Sequence, residues 1–195
     1  MPFRAGFFCL VTVVFTTIGL LAAPEGGHVT LVKGTTAQNG RPGPNVEPSF
    51  DSRWTRIYID DVYVRDAVGR SLDGAEDCLK SAKCQSLRSE FADQDGRLLR
   101  KRLGALALTL GAYLRILVFE DGERHPPCER PGILAYTAAN SRVIRVCGRT
   151  FARASQHDPP EGRATIIHEV LHSLGLGENP PKPPYITYRV KKLCW

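Results

Sequence analysis

The chain has 195 residues, of which 43% are hydrophobic and 24% are charged, and its formal net charge is +6. This length is enough for one domain with a substantial core, and the composition is ordinary for a globular protein. The basic residues are scattered along the chain without interleaved aromatic residues, which argues against a nucleic-acid partner.

An apolar run near the N-terminus predicts export. Arg4 precedes residues 7–23, which are apolar apart from small and hydroxyl-bearing residues and end in Ala22-Ala23. This pattern predicts a signal peptide over residues 1–23, and a membrane anchor is the alternative because the run approaches a spanning length. No later apolar run is long enough to span a bilayer. We therefore expect no stable membrane span after cleavage, and a secreted or periplasmic location.

Five cysteines follow the predicted signal peptide: Cys78, Cys84, Cys128, Cys147 and Cys194. Export implies an oxidising compartment, in which disulfides persist. Cys78 and Cys84 are close enough in sequence for a local disulfide. Cys128 and Cys147 flank a predicted hairpin, so a disulfide between them is geometrically reasonable. Cys194 is then left without a partner, although the sequence alone does not determine the connectivity. Without a C-x-x-C pair, a zinc site built from cysteines is disfavoured.

Residues 24–50 are rich in Gly, Pro, Thr and Asn, which predicts a flexible leader before the folded domain. The domain itself is expected over residues 51–195. Its first predicted element is a strand, or a pair of strands, in residues 54–64, which are rich in Ile, Val and Tyr. Residues 74–92 are predicted to be helical or loop-helical. Residues 96–110 place leucines at helical spacing, most simply for a buried face.

The middle of the domain predicts strands. Residues 113–120 carry apolar side chains on one face, and residues 133–137 and 142–147 form two further candidates joined by a hairpin-sized connection. A short helical turn is predicted over residues 151–156. Together these elements predict an α+β domain with a mixed or antiparallel sheet.

The last predicted helix is the best defined. Asp158 stands in the N-cap position, with prolines directly after it and Glu161 three residues later, which predicts a capping box. Gly175 supplies the stop, because glycine tolerates the left-handed conformation just past a helix end. The helix is therefore predicted from Pro159 to about Leu174.

At 3.6 residues per turn this helix separates into an apolar and a polar face. The apolar face, expected to pack on the sheet, carries Ile166, Ile167, Val170, Leu171 and Leu174. The polar face, expected to line a cleft or meet water, carries Thr165, His168, Glu169, His172 and Ser173. His168, Glu169 and His172 form the pattern H-E-x-x-H, in which two imidazoles one turn apart meet one zinc ion.

Glu169 lies beside the two histidines but is angularly offset from them, which suits it to hold a metal-bound water rather than the metal itself. Zinc lowers the pKa of its bound water toward about 7, and a neighbouring carboxylate accepts the proton as general base. The sequence therefore predicts hydrolysis of an amide bond, with Zn²⁺ as the cofactor and Glu169 as the catalytic residue.

Catalytic zinc usually takes three protein ligands, so a third is expected beyond His168 and His172. Only 17 residues follow Glu178, which disfavours a downstream helix that carries this ligand. Gly175 would let the chain reverse under the metal, so Glu178 is the favoured third ligand. The alternatives are a Glu178 that only forms a surface ion pair, or ligation by Asp121, His157 or Asp158.

The stretch from His168 to Glu178 resembles the extended motif H-E-x-x-H-x-x-G-x-x-H/D of the metzincin clan of zinc metallopeptidases. The resemblance implies His168 and His172 as the first two ligands and Glu169 as the catalytic acid. It also implies Gly175 as the turn and Glu178 at the position of the third ligand. The order of strand, hairpin and helix over residues 113–174 is similar to that of zincins in general, which implies a small zincin-like domain.

The chain departs from the metzincin pattern in two ways. Glu178 replaces the usual His or Asp, and the methionine turn beneath the metal is missing because Met1 is the only methionine. Tyr185 or Tyr188 is expected to lie near the site instead. The G-T-x-x-D segment of the related aspzincins is also missing from the sequence.

In zincins the edge strand before the active-site helix lies antiparallel to bound peptide, so the resemblance implies this role for residues 133–137 or 142–146. The leading interpretation is an exported zinc metallopeptidase that acts on a protein or peptide. A zinc amidase with a non-protein substrate and a non-catalytic exported zinc-binding protein are the alternatives. The sequence does not determine the substrate or the oligomeric state.

Overall fold

The computed structural model of the protein describes residues 56–178 and 180–195. The predicted signal peptide (1–23), the predicted leader (24–50) and the first residues of the predicted domain lie outside this part of the chain. The elements in chain order are β1 (Ile57–Tyr58), α1 (Val62–Leu79), α2 (Ala82–Gln85), α3 (Leu87–Glu90), α4 (Leu99–Ala105), α5 (Leu110–Leu114), β2 (Val118–Asp121), a 3-10 helix (Pro126–Glu129), β3 (Ala135–Tyr136), β4 (Val143–Val146), α6 (Gly148–His157), α7 (Pro159–Ser173) and α8 (Pro183–Cys194).

The four strands form one mixed sheet in the order β1-β2-β4-β3. β2 runs parallel to both β1 and β4, with Phe119 opposite Ile144. β3 pairs only with β4, antiparallel to it, with Ala135 opposite Val146. This arrangement confirms the predicted α+β class and the predicted hairpin, and it leaves β3 at the edge of the sheet.

The strand predicted over residues 54–64 is wrong for most of the part that the structure describes, because only Ile57–Tyr58 is extended. Asp61 begins the long helix α1 instead. Its carboxylate accepts hydrogen bonds from the backbone N–H groups of Tyr63 and Val64, at 3.0 and 3.3 Å. Capping of this kind satisfies donors that a helix leaves free, and together with the burial of the apolar side of α1 it outweighs the strand preference of the valines and the tyrosine.

The strand predicted over residues 113–120 is wrong in its first half for the same reason. The Thr109 hydroxyl accepts a hydrogen bond from the Ala112 N–H at 3.1 Å and caps the short helix α5. The strand β2 begins only at Val118. The helical turn predicted at residues 151–156 is part of a longer helix, α6.

Helix α7 extends over Pro159–Ser173, close to its prediction, and lies in the middle of the domain. All five residues of its predicted apolar face are buried: Ile166, Ile167, Val170, Leu171 and Leu174. The predicted packing on the sheet is only part of the arrangement, because α1, α6 and α8 pack against α7 more extensively than β3 and β4 do. The polar face is buried as well, apart from the half-buried Thr165.

Two disulfides are present among the described residues. Cys128–Cys147 confirms the bridge predicted beside the hairpin. The predicted Cys78–Cys84 pair is wrong, because Cys84 binds Cys194 across 110 residues and Cys78 keeps its thiol. Two disulfides fit an oxidising compartment. In the described part of the chain, every helix is too short or too polar to cross a membrane.

Candidate metal centre

The C-terminal end of α7 is closed by a glycine turn. The N–H of Gly175 donates to the His172 carbonyl oxygen at 2.8 Å, and the N–H of Leu176 donates to the Leu171 carbonyl oxygen at 3.1 Å. Gly175 has a φ of 108°. These two bonds define a Schellman motif, in which glycine takes the left-handed position. The prediction that Gly175 ends the helix and reverses the chain is therefore confirmed.

The N-terminal end of α7 differs from its prediction. Asp158 precedes the helix, but its side chain makes no capping hydrogen bond. Its carbonyl oxygen accepts from the Glu161 N–H at 2.9 Å instead. The helix begins with Pro159 and Pro160, which lack N–H groups, so fewer donors need a cap. The predicted capping box is therefore wrong, although the predicted start of the helix is correct.

The rings of His168 and His172 converge on one point. Their Nε2 atoms lie 2.9 Å apart, and both side chains are buried. Two nitrogens in a tetrahedral zinc shell are separated by about 3.3 Å, given Zn–N distances of about 2.0–2.1 Å. The spacing of four residues on a helix thus brings both imidazoles to within a few tenths of an ångström of the separation that a shared metal ion requires.

The second nitrogen of each ring has a partner on the protein. The Nδ1 of His172 lies 2.8 Å from the carbonyl oxygen of Leu176, and the Nδ1 of His168 lies 2.9 Å from the hydroxyl of Thr187. A carbonyl oxygen can only accept, so the proton of neutral His172 is on Nδ1 and its Nε2 carries a lone pair. Partners of this kind are typical of histidines that ligate metals.

Glu178 completes the group. Its carboxylate oxygen Oε1 lies 3.5 Å from the Nε2 of His172, and its side chain is 56% exposed. One ligand atom from each of His168, His172 and Glu178 lies within 4.8 Å of the others, so the three side chains could hold a metal ion. Asp121, His157 and Asp158, the alternative third ligands, do not belong to this group within the described residues.

Burial keeps His168 in the neutral form that a metal requires. Its enclosure lowers the pKa to about 3, and the neighbouring His172 adds to the shift. A protonated imidazole has no lone pair to offer, so a depressed pKa preserves the ligand over the physiological range.

Glu169 lies beside the group without belonging to it. Its side chain is buried, and its oxygen Oε2 has no hydrogen-bond partner in the described structure. Burial raises its pKa well above the usual value, the negative charge of Glu178 raises it further, and the backbone N–H of Thr137 lowers it in part. A buried acceptor without a partner is costly unless water or another group completes its bonding. A water held by a metal at the histidines would supply that partner, so the residues fit the ion.

The metal-ligand group opens onto a cavity of about 400 Å³. His168, Glu169 and Glu178 contribute to its wall, and the edge strand β3 with its flanking residues forms one side. Pro183 and Thr187 of α8 lie on the wall as well. Two of the three candidate ligands, His168 and Glu178, and the residues of the edge strand β3 therefore border the same space.

Three groups around the site were not predicted from the sequence: the Thr187 hydroxyl, the Leu176 carbonyl and the Thr137 N–H. The first belongs to a helix that follows Glu178, and the other two are backbone or loop groups without a sequence signature. Tyr185 and Tyr188, expected near the site, are both exposed and do not line the cavity.

Comparison with known protein families, with curated proteins and with solved structures finds no match to this chain. The class of the protein is therefore defined by its own fold and site. Its described residues form a small α+β domain with two disulfides and a His-His-Glu group that could bind a metal ion.

Proposed function

We propose that the protein is an exported zinc metallopeptidase of the zincin type. The observation that carries the proposal is the convergence of ligand atoms from His168, His172 and Glu178 within 4.8 Å. Two neutral imidazoles and one carboxylate form a ligand set that catalytic zinc sites use, with a fourth position left open. The resemblance of the motif to that of metzincins supports the same assignment, and the two disulfides support export.

Glu169 has the position and the chemistry of the general base. Zinc bound at the three ligands would activate a water molecule and polarise the carbonyl group of the substrate. The free Oε2 of Glu169 takes the proton of the attacking water and passes it to the leaving nitrogen. Burial and the charge of Glu178 raise the pKa of this carboxyl in the metal-free protein.

Extended protein or peptide is the proposed substrate. β3 is an edge strand beside the cavity, and its outer side carries backbone groups that β4 does not use. An extended peptide can add to such an edge and gain main-chain hydrogen bonds. A peptide paired in this way would have its scissile bond next to Glu169 and the three candidate metal ligands.

The experiment that tests the proposal combines metal analysis with a protease assay. The purified protein should contain one zinc per chain and cleave casein, and EDTA should abolish the cleavage. Glu169→Gln should keep the zinc but lose at least about 10²-fold in rate, since a positioned base contributes about 10²–10⁴. Full activity of zinc-loaded Glu169→Gln would exclude the mechanism. Stoichiometric zinc without turnover of casein or peptidoglycan would indicate a non-catalytic zinc-binding protein instead.

A further inference from the structure

Helix α8 lies outside the motif but reaches the candidate ligands. Its Thr187 hydroxyl lies 2.9 Å from the Nδ1 of His168, on the side of the ring opposite the converging Nε2. Thr187 is half-buried and also lines the cavity. A residue 19 positions away in sequence therefore determines which way this imidazole can face.

α8 is fastened at several points, so Thr187 has a defined position. Cys194 at its end binds Cys84 of α2, Lys191 pairs with Glu161 of α7, and Arg189 pairs with Glu90 of α3. The apolar side of α8 is fixed by two fully buried residues, Ile186 and Val190. A residue held in this way on a regular helix can orient a metal-ligating side chain, here the imidazole of His168.

The two histidines have chemically different partners. The Leu176 carbonyl can only accept a hydrogen bond, so it holds His172 in one tautomer. The Thr187 hydroxyl can donate or accept, so it can bond His168 in either tautomer. Without metal, an N–H on Nε2 of His168 can donate to the Nε2 of His172, 2.9 Å away, while the hydroxyl donates to Nδ1.

We propose that Thr187 is the positioning residue of the metal centre and allows His168 to change tautomer when metal binds. This inference rests on the proposed function, since it concerns the same ligand. Metal binding would need a lone pair on Nε2, so Nε2 would release its proton to solvent and Nδ1 would take up a proton from solvent. The ring stays neutral, and the new Nδ1–H donates to the Thr187 oxygen. Without that oxygen, the Nδ1–H would be buried and unpaired.

The test compares Thr187→Val, which is isosteric but lacks the hydroxyl, with Thr187→Ser, which keeps it. Zinc affinity, measured by competition with a chromophoric chelator, should fall about 10- to 100-fold in Thr187→Val, as it does when other partners of ligating histidines are removed. Thr187→Ser should stay close to the wild type. Thr150→Val, the same change at an exposed position of α6, serves as the control. Equal affinity of Thr187→Val and wild type would overturn the proposal.

A second measurement does not depend on catalysis, and its comparison of variants needs only the metal-free protein. ¹⁵N NMR of the histidine side chains should show His168 with its proton on Nε2 in the metal-free protein and on Nδ1 with zinc. In the metal-free protein, Thr187→Val should shift the Nδ1 resonance of His168 and leave that of His172 unchanged. An unshifted His168 resonance would refute the Thr187 contact. A wild-type protein that binds no zinc would refute the proposed function, and this metal-free comparison would still decide the role of Thr187.

Discussion

The ring of His172 donates a hydrogen bond to the carbonyl oxygen of Leu176, four residues later, over 2.8 Å. The same segment contains the glycine turn that ends α7. The turn that stops the helix thus also fixes the tautomer of one candidate ligand and leads the chain toward another, Glu178. Helix termination and metal-site geometry depend on the same few backbone groups.

Replacement of Gly175 by alanine should therefore damage both stability and the site. A Cβ at this position would lie 2.8 Å from Asn140 Oδ1 and 3.1 Å from Asp93 Cβ, and the φ of 108° is unfavourable for any L side chain. We expect Gly175→Ala to lower the free energy of unfolding by about 1–3 kcal/mol, measured by urea denaturation. Gly104→Ala is the matched control, because Gly104 is exposed within α4 and its Cβ would meet no neighbour. Equal stability of both variants would contradict the role of the turn.

Zinc should stabilise the folded protein. A ligand that binds only the native state at 100 times its Kd adds about 2.7 kcal/mol to the free energy of unfolding. For a domain of this size the Tm should rise by several degrees. Differential scanning calorimetry with zinc and with EDTA measures the shift. The double variant His168→Gln/His172→Gln should show none, and a wild-type Tm that does not respond to zinc would exclude a site in the native state.

Glu178→Gln should weaken zinc binding by at least about tenfold, or about 1.4 kcal/mol, because an anionic ligand of the cation becomes neutral. The change also removes the negative charge that raises the pKa of Glu169, so that pKa should fall in the metal-free variant. Glu129→Gln, at an exposed position of the 3-10 helix, is the control for charge alone. If both variants bind zinc as the wild type does, Glu178 is only a surface carboxylate.

The Cys84–Cys194 disulfide should be important for stability. It joins α2 to the end of α8 and closes a loop of 110 residues. Removal of a disulfide that closes a long loop costs about 2–5 kcal/mol. We expect this loss in Cys84→Ser/Cys194→Ser, measured by thermal unfolding, together with weaker zinc binding as Thr187 loses its support. Cys78→Ser, which breaks no disulfide, is the control, and a double variant as stable as this control would contradict the prediction.

Some of the secondary structure could be predicted from the sequence because its causes are local. Helix α7 has prolines at its start, glycine at its end and a periodic apolar face, so both ends and its buried side could be predicted. The strand predicted over residues 54–64 failed although its residues favour strands. There, Asp61 caps a helix whose apolar side packs against α6 and α7, and such tertiary packing outweighs strand propensity.

The sequence by itself determined the candidate ligands, because the spacing of His168 and His172 on a helix makes them neighbours in any fold that keeps the helix. The tertiary structure decided what surrounds them. It buried Glu169, paired Cys84 with Cys194 and brought Thr187 to the far side of His168. These relationships join elements distant in sequence, and they depend on how the whole core packs rather than on any local periodicity. Local spacing therefore defines a possible metal site, whereas packing determines the orientation, protonation and access of its side chains.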